Sequence, residues 1–125
     1  MSEIKVENGV KTYDIKNASG KLLGQIAFNP SDVGILARHG EVTKQLRALQ
    51  LAWSKKRKKM SVSQELQELD KIVYEKVDYI FNADISKVLF SIMGPFSLMD
   101  DGQFWVEYIL EVLGKVIEDE TKKST

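Results

Sequence analysis

The chain of 125 residues contains no cysteine and a single histidine, and these shortages exclude several kinds of site. Without cysteine there is no disulfide framework, no thiolate zinc or iron–sulfur site and no cysteine nucleophile. His39 alone cannot form a histidine metal cluster, and a Ser-His-Asp arrangement would have to use it. The residue inventory therefore favours a binding protein, and we expect no enzymatic activity, no cofactor and no resident metal.

The sequence also lacks an excess of charge and any long apolar run. Its 18 basic and 18 acidic residues cancel to a net charge of zero, which argues against a general binder of polyanions. No apolar run approaches the ~20 residues that cross a bilayer, and the N-terminus lacks the basic-then-apolar order of a signal peptide. We expect one soluble, cytoplasmic domain over 1–125 that buries roughly two thirds of its unfolded surface.

Two short runs with partial two-residue alternation predict a β-hairpin over about 10–28. They are separated by Asn17-Ala18-Ser19-Gly20, whose residue types suit a tight turn. An isolated hairpin is marginally stable in water, so its apolar face must pack on helices of this chain or on strands of another subunit.

Apolar residues at three- and four-residue spacing predict four helices, over about 30–58, 61–81, 84–93 and 102–118. The clearest stripe is that of the second helix, with Val62, Leu66, Leu69, Val73, Val77 and Ile80. The stripe of the first is expected at Val42, Leu46, Leu49 and Trp53. The predicted fold class is thus mostly α with a small N-terminal hairpin (α+β), a helical bundle.

Residue types at the helix ends predict how the helices begin and end. Asn29 is expected to cap the first helix, with Phe28 and Val33 packing across the cap. Gly34 and Gly40 are expected to limit its start to one or two turns before a firmer helix. Asp100 with Gln103 is expected to cap the last helix, and the polar tail 119–125 to fray.

More apolar residues occur near the C-terminus than a thin bundle needs. The last helix is apolar on nearly all sides, and the loop Pro95–Gly102 before it is unusually apolar. A large exposed apolar patch marks a protein-binding surface. We therefore expect self-association and a partner-binding surface of Phe96, Leu98, Met99, Phe104, Trp105 and Tyr108. In the rival interpretation the loop folds back as a lid, and Phe96 and Met99 are core residues.

Five consecutive cations form the strongest local charge signal: Lys55, Lys56, Arg57, Lys58 and Lys59. Such a run could contact the phosphates of a nucleic acid. It also suits the C-terminal end of a helix, where cations complement the helix dipole. We favour the second interpretation, because only Trp53 offers an aromatic ring for base stacking near the run.

Several features follow one another in a familiar order: the hairpin, Phe28-Asn29-Pro30-Ser31-Asp32 with Ile35–Arg38, a long helix ending in Phe81-Asn82-Ala83-Asp84-Ile85, Val88-Leu89-Phe90, and a last helix from Phe104. This order resembles the tail assembly chaperones of long-tailed, siphovirus-type bacteriophages or prophages of Gram-positive bacteria. The resemblance extends from about Val10 to Ile117 and consists of apolar and capping patterns.

The resemblance implies a non-enzymatic protein of the host cytoplasm that coats the long helical tape-measure protein and keeps it soluble. It implies displacement as tail tube protein polymerises, many copies on one partner, and absence from the mature virion. Two other classes stay open. One is a phage structural protein, such as a head-tail connector or tail completion protein, and the other is a small nucleic-acid-binding regulator that uses the basic run.

Overall fold

A computed structural model describes residues 2–56 and 62–123, which form two strands and four helices. The described residues confirm the predicted mostly α fold with an N-terminal hairpin. Within these two ranges, no helix is long and apolar enough to span a membrane. The elements in chain order are β1 (Lys11–Lys16), β2 (Leu22–Phe28), α1 (Ile35–Lys56), α2 (Val62–Phe81), α3 (Ser86–Ile92) and α4 (Trp105–Lys123).

The two strands form an antiparallel hairpin closed by the predicted turn. Lys11 lies opposite Phe28 and Ile15 opposite Gly24. The Asn17 side-chain oxygen accepts hydrogen bonds from the backbone N–H of Ser19 and of Lys21, both at 3.0 Å. Asn17 therefore holds the turn together with its side chain, as short polar residues in turns commonly do.

One face of the hairpin packs on the helices of the same chain. The Phe28 ring is buried between Tyr13, 5.1 Å away, and Phe81 of α2, 4.9 Å away between ring centroids. At Gly24 the backbone approaches α3 so closely that a Cβ would lie 2.7 Å from Val88 Cγ1. The hairpin thus obtains its stability from intramolecular burial of apolar surface.

The helices contribute the rest of the core. Val73, Val77 and Ile80 are fully buried, which confirms this part of the α2 stripe. In α1, Val42 is buried and Leu46 packs against the core. The side chains of Trp53, Val62 and Leu66 lie outside the described residues. The buried residues of α4 are Trp105, Val106, Ile109, Leu110, Leu113 and Ile117.

The predicted start of the first helix is wrong. Asn29 Oδ1 accepts the Ser31 N–H at 2.9 Å and so forms a turn, and α1 begins only at Ile35. Val33 is 98% exposed, so it does not pack on Phe28 across a cap. The helix is also continuous through Gly40. A glycine costs a helix only about 1 kcal/mol, which the buried side chains on either side offset.

The predicted end of the last helix is wrong as well. The helix α4 extends to Lys123, so the described part of the polar tail does not fray. Lys11 Nζ lies 2.6 Å from Glu120 Oε2, and this hydrogen bond raises the pKa of the Lys11 ammonium. Ile117 is fully buried one turn earlier. Contacts with the hairpin thus support the C-terminal turns, which a sequence pattern of polar residues does not indicate.

The start of α4 is capped by residues other than Asp100. Asp101 Oδ1 accepts the Gln103 N–H at 3.0 Å, and Glu107 Oε1 accepts the Phe104 N–H at 3.2 Å. The second contact is the reciprocal half of a capping box, with the carboxylate of the first turn reaching back to the preceding backbone.

Arg38 fastens the start of α1 to the end of α2. Its Nε donates to the Ile80 carbonyl at 3.0 Å, and its terminal nitrogen donates to Asp32 Oδ2 at 2.6 Å. The Asp32 carboxylate also accepts the Gly34 N–H at 3.1 Å. The hydrogen bond from Arg38, and then that from Gly34, lower the pKa of Asp32.

This arrangement predicts a pH dependence of stability. Because the pKa of Asp32 is lower in the folded than in the unfolded protein, its contribution is present above the unfolded value of about 3.9 and is lost as the pH falls through the folded value. We expect Asp32→Asn to be less stable than wild type at pH 7. The difference in the free energy of unfolding should shrink below about pH 4. A difference that does not change with pH in urea titrations would contradict this assignment.

Candidate docking groove

The segment between α3 and α4 is an ordered loop with backbone hydrogen bonds of its own. Leu98 and Phe104 form an antiparallel β-bridge, and the Met99 N–H donates to the Gln103 carbonyl at 2.7 Å. Gly102 closes the tip with a φ of +89°, a conformation that side chains disfavour. We call residues 95–104 the α3–α4 loop.

The α3–α4 loop is also hydrogen-bonded to the helix that follows it. The N–H groups of Trp105 and Val106, which have no partner within α4, donate to the carbonyls of Ser97 (2.8 Å) and Pro95 (3.0 Å). The rings of Phe96 and Phe104 meet edge to face with centroids 5.4 Å apart. The loop is therefore a fixed platform, and a side chain exposed on it is held in one place.

A groove of about 650 Å³ lies between the α3–α4 loop and α4. Its apolar lining comes from Met93 after α3, Leu98 and Met99 of the loop, and Tyr108 and Val112 of α4. Leu98 is 67% exposed and Val112 is 40% exposed. We call this feature the docking groove, because its lining offers apolar area that the chain itself leaves partly uncovered.

Acidic side chains surround the docking groove. Asp100, Asp101 and Glu111 line it together with a single cation, Lys115. Gln103 Nε2 donates to Glu111 Oε1 at 3.1 Å, which links the tip of the loop to α4. A groove with an apolar lining is typical of surfaces that bind the apolar face of an amphipathic helix.

The structure distributes the six predicted contact residues over the loop and the core. Leu98, Met99 and Tyr108 line the docking groove, but Met99 and Tyr108 are also half-buried against the core, as the rival interpretation expected for Met99. Phe96 and Phe104 are half-buried and pack against the core. Trp105 is only 8% exposed, and its indole N–H donates to the Leu89 carbonyl at 3.1 Å. Trp105 is thus a core residue, and its inclusion in the predicted surface is corrected.

Sequence reasoning missed two of the apolar residues that line the groove. Val112 lies four positions after Tyr108, on the same side of α4, so helical spacing could have identified it. Met93 follows directly after α3 and offers no such signal. Met93 has a flexible side chain of the kind that adapts to a partner's surface, whereas the β-branched Val112 offers a rigid apolar contact.

The sequence also offered His39 and the basic run as candidates. His39 has a structural role, and the side chains of the basic run lie outside the described residues. His39 Nε2 lies 2.8 Å from the Leu110 carbonyl, so it carries a proton and donates, and it fastens α1 to α4. Lys55 and Lys56 end α1, but the side chains of the basic run and the positions 57–59 lie outside the described residues. In the described ranges no three His, Asp or Glu side chains lie close enough to hold a metal ion.

Comparison of the chain with protein-family models, with curated proteins and with solved structures found no match.

Proposed function

We propose that this protein is a tail assembly chaperone of a long-tailed bacteriophage or prophage, without enzymatic activity. In this proposal it binds and solubilises the tape-measure protein in the host cytoplasm and helps to recruit tail tube protein. It leaves before the virion is complete. The observation that carries the proposal is Leu98, 67% exposed on a loop that is fixed by backbone hydrogen bonds.

An exposed leucine on a fixed loop favours binding for a physical reason. A flexible loop would lose conformational entropy when it docks, whereas this loop is already ordered in the unbound chain. Covering apolar surface contributes about 25 cal/mol per Å², so a groove of this kind supports moderate affinity for each bound segment. Moderate affinity suits a chaperone, because its partner has to be released when tube subunits assemble.

The groove also suits a long helical partner. A tape-measure protein presents one apolar stripe after another, and each stripe can occupy the groove of a separate copy. Tyr108 and Val112 lie one turn apart on α4 and offer a line of apolar contacts that matches a helix of the partner. The groove is also lined by carboxylates, and those that lie at the edge of an interface remain hydrated beside a bound helix.

The test is co-expression with the tape-measure protein encoded by the same genome. Wild-type chain is expected to raise the soluble fraction of the tape-measure protein. Leu98→Ser should weaken binding about tenfold, because a leucine side chain contributes about 1.5 kcal/mol or more when it becomes buried. The free energy of unfolding should stay within about 0.5 kcal/mol of wild type, since Leu98 is exposed in the free chain.

Val33→Ser is the matched control. Val33 is 98% exposed and does not line the docking groove, so its replacement should change neither stability nor the soluble yield. If the wild-type chain leaves the tape-measure protein as insoluble as it is alone, the chaperone proposal is wrong. A chain that stays in the finished particle would instead belong to the structural class of connector or completion proteins.

A further inference from the structure

The residues before β1 have the pattern of a strand but form none. Ile4 and Val6 alternate with Glu3, Lys5 and Glu7, and their side chains are 90% and 78% exposed. No helix, strand or turn is present over residues 2–10. We call residues 3–7 the N-terminal arm. An alternating apolar and charged segment of this kind is typical of a half-buried strand.

The structure contains an open edge on which such a strand could pair. The sheet has two strands, and β1 has β2 on one side only. From the other described residues, no backbone hydrogen bond outside this ladder reaches Lys11–Lys16. The irregular step of the hairpin is at Leu23 of β2, because Ile15 faces Gly24 and Lys16 faces Leu22. The extra residue therefore lies in β2, and β1 contains no inserted residue.

Hydrogen bonds fix the residues before β1 to the end of β2, and within the described residues no backbone hydrogen bond joins the arm to β1 of its own chain. The Asn29 side chain donates to the Asn8 carbonyl at 3.1 Å, and Asn8 Oδ1 accepts the Val10 N–H at 3.1 Å. Gly9 adopts a φ of +75° there, and a Cβ at this position would lie 3.0 Å from Asn29 Oδ1. Arm and edge are thus both presented to another molecule.

We propose that the arm of one copy pairs antiparallel with the outer edge of β1 in a second copy. In the register that places Ile4 opposite Ile15, Val6 lies opposite Tyr13 on the same face of the sheet. Ile15 and Tyr13 are both half-buried, so the arm would extend the apolar face of the hairpin. Directly opposed apolar side chains stabilise a strand pair.

The same register pairs opposite charges on the other face of the sheet. Lys5 lies opposite Asp14, and Glu3 lies opposite Lys16. A shift by two residues would place Glu3 opposite Asp14, where the like charges repel. Charge complementarity thus selects one register, in which the arm of a second copy of this chain matches the edge of β1.

The exchange is reciprocal. Each copy offers one arm and one edge, so two copies related by a two-fold axis satisfy both pairings and close the assembly. Strand addition of this kind uses backbone hydrogen bonds for affinity and alternate side chains for specificity. The contact does not involve the docking groove and holds whether or not the proposed function does.

Charge variants test the register in the full chain by sedimentation at tens of micromolar, a range in which weak interfaces are populated. Wild type is expected to dimerise, and Lys5→Glu or Asp14→Lys should weaken dimerisation about tenfold, because each places like charges opposite each other twice per dimer. Lys5→Glu combined with Asp14→Lys should restore it. Lys21→Glu, in the turn of the hairpin, is the control and should dimerise as wild type. A monomeric wild type, or a double variant no better than the single ones, would overturn the proposal.

Introduced cysteines identify which chain covers the edge, since the sequence has none of its own. Lys5→Cys and Asp14→Cys are made in separate chains, mixed and oxidised, and a disulfide-linked heterodimer is expected as the main product. The chain that carries both substitutions should form linked dimers at the same concentration. A monomer with an internal disulfide as its main product would show that the arm folds onto its own β1, and would overturn the assignment to a second copy.

Discussion

Replacing Asp78 by alanine is expected to lower the free energy of unfolding by about 2–4 kcal/mol. Asp78 lies near the end of α2, and its carboxylate caps α3. Oδ1 accepts the N–H groups of Ile85 (3.0 Å) and Ser86 (2.8 Å), and Oδ2 accepts the Ser86 hydroxyl at 2.9 Å. Ser86 is 1% exposed, so alanine at position 78 would leave buried donors without an acceptor.

Asp84→Ala is the matched control for this substitution. Asp84 is exposed and lies in the same connection between α2 and α3, so its replacement should change stability by less than about 0.5 kcal/mol. The stability loss of Asp78→Asn should lie between those of Asp78→Ala and Asp84→Ala. Its amide oxygen still accepts hydrogen bonds from the backbone, but the second oxygen, which accepts the Ser86 hydroxyl, is replaced by a donor. Equal urea midpoints for Asp78→Ala and wild type would contradict the capping role.

Trp105→Ala is expected to have the largest effect, a loss of about 3–5 kcal/mol. The ring is buried and packs beside Tyr108 with centroids 5.8 Å apart, and its N–H satisfies the Leu89 carbonyl. Alanine would leave a cavity where α3 meets α4. Trp105→Phe keeps most of the apolar area and removes the donor, so it should cost about 1–2 kcal/mol.

Leu98→Ala is the control for Trp105→Ala, because Leu98 lies on the loop that leads into α4. Its expected loss is within about 0.5 kcal/mol, because Leu98 is exposed in the free chain. Urea unfolding followed by circular dichroism measures all three variants. Similar losses for Trp105→Ala and Leu98→Ala would contradict the division between core and groove.

Periodic spacing predicted the hairpin and the four helices, because both patterns depend on residues close together in the chain. The stripe of Val73, Val77 and Ile80 is an example, since all three positions lie on one side of any helix that contains them. Helix ends were less predictable. The extension of α4 to Lys123 depends on Lys11, more than one hundred positions away in the sequence.

The cap of α3 shows the same limitation. Asp78 lies within the predicted second helix, where a carboxylate normally indicates an exposed face. Asn82, with a φ of +48°, ends that helix and turns the chain back, so that Ser86 reaches the Asp78 carboxylate. The sequence shows the polar break at Asn82 but not the direction in which the chain leaves it.

At the groove, composition predicted the region but not the role of each residue. The surplus of apolar residues between Phe96 and Tyr108 indicated that some of them would be exposed. Leu98 and Trp105 contribute to that surplus alike, yet one is exposed and the other is buried. The β-bridge between Leu98 and Phe104 decides which side of the loop faces the core, and this pairing has no signature in the spacing of apolar residues.

Calorimetric titration of the chain with the tape-measure protein of the same genome tests the central claim most directly. Binding through an apolar groove predicts a negative change in heat capacity, measured as the slope of the binding enthalpy against temperature. The account predicts that Leu98→Ser makes this slope less negative and weakens binding about tenfold, while Val33→Ser changes neither the slope nor the affinity. Binding of equal affinity and equal slope for wild type and Leu98→Ser, or no binding by the wild-type chain, would contradict it.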